Sequence, residues 1–129
     1  MEFTYEAYGK LLALLKAQGY QISDYHNYQE YDRSVIIRHD IDMDIAKALE
    51  MASLEREADV CATYFVLVTS NFYNIFSKRN QDMLRRIGSM GHEVGLHFDE
   101  VKYGGQQEDI VQAVEKEAAL LEQCTGRAV

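Results

Sequence analysis

The spacing of hydrophobic and polar positions switches repeatedly between a helical period and short continuous apolar runs. From Thr4 to about Gln18, Tyr5, Tyr8, Leu12 and Leu15 recur at helical spacing and Leu11 widens the stripe. Thr4 suits the N-cap and Gly19 the left-handed stop. Residues 20–33 are rich in tyrosine and aspartate with weak periodicity. They predict a surface linker with a short strand near Gln21–Ile22, carrying His26, Tyr25, Tyr28 and Tyr31 as loop residues. Val35–Asp42 opens on consecutive β-branched residues and predicts one strand buried on both faces. Met43 to about Ala58 follows as a helix, with Ile45, Ala48, Leu49 and Ala52 inward and Asp42 or Asp44 at the cap.

Ala62–Val68 is the clearest strand, nearly continuous in apolar residues, and it ends in the polar and aromatic loop Thr69–Asn74. Asn80 is expected to cap a helix through Met83, Leu84, Ile87 and Met90, closed by Gly91. His92–Phe98 makes the third strand and Gly104-Gly105 a turn. Gln107–Cys124 makes the last helix, with Ile110, Val111, Val114, Ala118 and Leu121 inward. Helices alternating with strands imply right-handed crossovers and a parallel sheet, so the fold class is α/β.

Composition narrows the function. The chain has 129 residues, 47% of them apolar, which suits one soluble globular domain. A net charge of −8 and the lack of any basic run exclude a phosphate-backbone partner. Cys61 and Cys124 fit no paired metal or redox spacing and are read as buried, reduced thiols. No apolar stretch approaches the roughly 20 residues of a membrane span. The N-terminus lacks the pattern of a secretory signal, so the expected location is cytoplasmic.

The chemistry gathers at strand ends. Arg38-His39-Asp40-Ile41-Asp42 crowds charge at the carboxyl end of the first strand, where parallel sheets present their ligands. If the three strands are neighbours, Asp40 and Asp42, Thr69–Asn71, and His97 and Asp99 come together. One or two carboxylates with an imidazole are the ligand set of a divalent metal with open positions. His92, at the opposite end of its strand from His97, is read as structural.

Three blocks then carry a family resemblance: Ile37-Arg38-His39-Asp40-Ile41-Asp42, Ala62-Thr63-Tyr64-Phe65-Val66, and Gly91-His92-Glu93-Val94-Gly95-Leu96-His97. In this order and at these intervals the sequence resembles the N-terminal part of the polysaccharide deacetylases, the NodB-homology group of carbohydrate esterases. The resemblance implies a partial, truncated irregular (β/α) barrel of the glycoside hydrolase/deacetylase type, spanning residues 1–129 as one domain incomplete at its C-terminus. It implies a hydrolase that removes an acetyl group from a sugar amide, with a divalent metal, zinc first among them, and a carbohydrate substrate. Asp40 and Asp42 divide between catalytic base and metal ligand, with Asp40 taken as base and Asp42 as ligand. His97 becomes the first histidine ligand, and Arg38, His39, Ser70 and Asn71 are accessory candidates.

The pattern departs from the family in three respects. The family's adjacent Asp-Asp is Asp40-Ile41-Asp42 here. Its second ligand histidine falls on Val101, for which Asp99 is the expected substitute. The family's general acid and supporting arginine would lie beyond residue 129, so this chain alone is expected to be a poor catalyst. The Arg-His-Asp-Ile-Asp and Gly-Leu-His-Phe-Asp forms look more like the subgroup tied to bacterial surface-polysaccharide biosynthesis. The rival expectation is a non-catalytic remnant of the fold that binds a carbohydrate or a partner subunit. Three strands cannot close a barrel, which leads to the expectation of a homodimer formed through the open edge of the third.

Overall fold

The computed structural model describes residues 3–104 and 107–129. Helix α1 (Tyr5–Ala17) is capped by Thr4, whose hydroxyl accepts from the Ala7 N–H at 3.1 Å, and it ends before Gly19 at φ 80°. Leu12 is buried, whereas Tyr5 and Leu11 stay exposed.

The continuous strand expected over Val35–Asp42 is two strands in two sheets. β1 (Gln21–Ser23) pairs in parallel with β2 (Ser34–Ile36), and β3 (Arg38–Ile41) starts a separate sheet after Ile37. The break arises because the run has two different partners, β1 below and the next long strand above. The larger sheet has the order β3-β4-β5, all parallel, with β4 (Thr63–Leu67) central and β5 (Glu93–His97) outermost. Its register aligns Asp40 with Phe65 and Gly95, and Leu67 with His97. Among the described residues the strands do not close into a barrel, and the outer edge of β5 has no strand beside it.

Crossover helices α2 (Ile45–Glu57) and α3 (Lys78–Ser89) link β3 to β4 and β4 to β5, and α4 (Gln107–Thr125) follows β5. Asp44, not Asp42, caps α2 through the Ala46 N–H at 2.8 Å. Asp59 at φ 55° terminates that helix, with the Val60 N–H returning to the Glu55 carbonyl. Helix α3 begins one turn earlier than expected: Ser77 is its cap, and Asn80 lies inside it with its side-chain amide on the Asn74 carbonyl.

The core lies between one face of the sheet and these helices, and includes Ile41, Ile45, Tyr64, Val66, Leu84 and Ile87. On α4 the buried stripe is Ala113, Glu117, Leu121 and Cys124, rotated from the expected one so that Val111 is exposed. The two cysteines are free; Cys124 is buried as expected but Cys61 is exposed. Among the described residues no helix is long and apolar enough to cross a membrane. Of the expected Gly104-Gly105 turn, Gly104 sits at φ 69° and Gly105 lies outside the described residues.

Candidate active site

Strand alternation sends β3 residues to opposite faces of the sheet. Arg38 and Asp40 emerge on the face away from the helices, and His39 and Ile41 enter the helix-covered side. Asp40 is gripped by its own strand: Arg38 Nε and Nη2 both donate to Oδ1, at 3.1 and 2.8 Å. The guanidinium lies 4.4 Å from the Phe65 ring centre, and Tyr25 packs edge-on against the same ring at 6.0 Å. Beyond them the linker closes over this face, with His26 Nε2 2.6 Å from Glu93 Oε1. Bonding to the Glu93 carboxylate raises the His26 pKa.

At the carboxyl end of the same face, Asp42 Oδ1 stands 3.5 Å from His97 Nδ1. That nitrogen is buried and has no hydrogen-bond partner. One other buried side-chain atom shares this state among the described residues, Glu117 Oε2, whose companion oxygen accepts from Tyr103 at 2.8 Å. A buried polar nitrogen without a partner is costly, of order 1–3 kcal/mol, and calls for an occupant. The pair fits a divalent cation in donor chemistry and in spacing, since ligands at about 2.1 Å from a tetrahedral ion stand roughly 3.4 Å apart.

Of the remaining predicted residues, Asp99 and Ser70 serve the scaffold. Asp99 accepts from the Val101 N–H at 3.2 Å and caps the short 3₁₀ turn Glu100–Tyr103. Val101, where the resemblance expects a second histidine, is 84% exposed. Ser70 accepts from the Phe72 and Tyr73 N–H groups and shapes its own loop, while Asn71 is exposed. Among the described residues no three ligand-type side chains converge on one point. The structure thus joins Asp42 with His97 and Arg38 with Asp40, and leaves Asp99, Ser70 and Asn71 in separate roles.

His39 belongs to a different cluster, which sequence reasoning missed. Glu55 on α2 is fully buried, and its two oxygens accept from Tyr8 and Tyr64, each at 2.6 Å, and pair with His39. Burial pushes this carboxyl up, but hydrogen bonds from His39, Tyr64 and Tyr8 outweigh it and hold the group below its ordinary range. Burial, then the Glu55 contact, raises both tyrosines well above theirs. His92 lies 3.7 Å from Glu55, accepts from the Ala62 N–H and bonds the Ala52 carbonyl, so it is structural. The signal was present in the sequence: Glu55 continues the inward stripe Ile45, Ala48, Ala52 at helical spacing.

Tyr73 is the second missed residue. Its hydroxyl donates to the Ile41 carbonyl at 2.6 Å and accepts from the Leu67 N–H at 2.9 Å, tying the ends of β3 and β4 together beside Asp42. Burial pushes its pKa up to about 12, so it stays a neutral strut at ordinary pH.

No protein-family model and no curated protein matches the chain. Solved structures do. The deacetylase PplD of Streptococcus pyogenes, in complex with acetate, superposes with a TM-score of 0.72 at 11% identity, over 97% of this chain and 59% of that one. The chitin deacetylase of the fungal pathogen Colletotrichum lindemuthianum gives 0.57 at 24% identity, over 72% of this chain and 41% of that one. The chain has the deacetylase fold. It spans about three-fifths or less of the length of these neighbours.

Proposed function

We propose that this chain carries the metal-binding part of a deacetylase acting on an N-acyl group of a carbohydrate, in bacterial surface-polysaccharide biosynthesis. The observation supporting this most directly is the buried, unpartnered His97 Nδ1 facing Asp42 Oδ1 at the carboxyl end of the sheet. Asp42 and His97 would hold a divalent metal, with zinc first by donor type, and Asp99 reaches it only by giving up its cap. Such an ion supplies Lewis acidity to an acyl carbonyl and to attacking water. Asp40 is the base. Both Arg38 donors converge on its Oδ1, which leaves Oδ2 outside that pairing to take the proton of the attacking water. Tyr73 keeps the two strand ends in register beneath the reacting groups.

Metal analysis tests the reading. The purified chain should take up one zinc-like ion, and His97→Ala and Asp42→Ala should each abolish uptake; unchanged stoichiometry in both variants rejects the site.

A second reading rests on the same observations that limit the first. At the Asp42–His97 site only two ligand-type side chains meet among the described residues, and Val101 stands where a further histidine is expected. A non-catalytic carbohydrate- or partner-binding form of the fold would show sugar binding without metal uptake. The free outer edge of β5 is the surface through which two copies would pair. Light scattering at micromolar concentration distinguishes a dimer mass from a monomer.

A further inference from the structure

Asp40 and Asp42 stand two residues apart at the same strand end, and Asp42 faces the His97 imidazole. Nothing in residue type tells a cation which carboxylate to take. The structure differentiates them through Arg38, whose two nitrogens converge on one oxygen of Asp40 while Asp42 faces His97. We propose that Arg38 is a positioning residue that withholds Asp40 from the metal, and that Phe65 and Gly95 exist at their positions to hold Arg38 in place. This inference rests on the metal-dependent reading above.

The support beneath Arg38 is built across the sheet. Asp40, Phe65 and Gly95 are register partners on three neighbouring strands. A Cβ at Gly95 would lie 2.8 Å from Phe65 Cε1, so only glycine lets the ring lie flat over β5. With the ring down, the guanidinium stacks on its face at 4.4 Å and its fork points at Asp40. Tyr25 packs edge-on against the same ring. A planar, permanently charged fork with a stacking face suits this task, and a lysine ammonium has neither the plane nor the paired donors. Without the clamp, Asp40 would be free to turn toward the Asp42–His97 pair as a third donor, and it would be lost as a base.

Cobalt(II) provides the readout, because its visible spectrum reports coordination number independently of turnover. The wild-type chain should bind cobalt through Asp42 and His97. Arg38→Met should release Asp40 to the ion, tightening binding about tenfold, within the range that residues behind metal ligands usually command, and changing the visible bands. Arg38→Lys should fall between the two and serves if the methionine variant folds poorly, with circular dichroism as the check on both. In an Asp40→Asn background Arg38→Met should change neither affinity nor spectrum. A wild type that binds cobalt while Arg38→Met alters nothing overturns the positioning role alone. So does an Arg38→Met effect that persists without Asp40. A wild type that binds no cobalt defeats the metal reading and this inference together.

Discussion

The two faces of the three-stranded sheet each bring a carboxylate to a histidine, and they resolve the encounter in opposite ways. On the helix-covered face Glu55 meets His39 with His92 nearby, and two tyrosine hydroxyls complete its shell. Every group there has a partner, and the cluster ties α1, α2, β3 and β4 together. On the other face Asp42 meets His97 with a gap of 3.5 Å, the imidazole nitrogen is buried without a partner, and the Asp42 side chain is 65% exposed. A satisfied buried network is structure. The open pair with its buried orphan nitrogen is what the proposed ion would complete. Proximity of His and Asp in the sequence pointed to one cluster; the strand pleat divides it into two with different roles.

Removing the carboxylate from each face should give very different stability changes. Glu55→Ala strands Tyr8, Tyr64 and His39 without an acceptor and should destabilise the fold by roughly 3–5 kcal/mol in denaturant titrations. Asp42→Ala should cost under about 1 kcal/mol in metal-free protein, as a half-open surface position does. Comparable losses at the two sites would erase the distinction between the faces. The same contrast has a pH signature. Since Glu55 is held below its ordinary value in the folded state, its contribution is fully present above about pH 4.3 and is lost as pH falls through the lower folded value. Tyr8 and Tyr64 are raised, so theirs is present below about pH 10 and lost as pH rises further. Glu55→Gln should flatten the acid limb of a stability–pH curve.

In the proposed metal-dependent reading, added metal acts on the other face. An ion that binds only the folded chain stabilises it by about 2.7 kcal/mol at a hundredfold excess over its dissociation constant. Thermal unfolding should therefore move upward with zinc in wild type and in a Tyr25→Ala variant, and not at all in His97→Ala. A shift that survives His97→Ala would assign the ion to another site.

Much of the fold was legible because hydrophobic period tracks helix and strand: the three strands of the main sheet, their parallel order and all four helices follow from it. The errors have particular causes. Val35–Asp42 reads as one strand because continuous β-branched residues carry no mark of a change of partner at Ile37. Ser77 and Asn80 are both good caps, and only the chain path shows which hydroxyl or amide meets a free N–H. Glu55 was passed over because a charged residue on an inward stripe looks like the end of the stripe, whereas two tyrosines and a histidine distant in sequence make it the centre of a core network. At the candidate site the residue types were legible and their pairing was not. That Arg38 takes Asp40 and His97 takes Asp42 depends on side-chain directions two residues apart on one strand.

Asp99 gives the smallest and most discriminating effect, because it was expected as a ligand and serves as a cap. Its carboxylate meets the Val101 N–H at 3.2 Å at the start of the short turn that carries Lys102, whose ammonium bonds Thr69 at the end of β4. Asparagine caps as well as aspartate but is a poorer ligand for a hard or borderline cation, while alanine can do neither. If Asp99 is a cap alone, Asp99→Asn should leave both stability and zinc uptake within error of wild type. Asp99→Ala should then lose about 1 kcal/mol, the usual worth of a cap, with zinc stoichiometry intact. If the carboxylate moves to the ion when metal arrives, the asparagine variant will keep its metal-free stability and lose affinity. Paired unfolding and zinc titrations of the two variants separate these outcomes, since the first function follows hydrogen-bond geometry and the second follows charge.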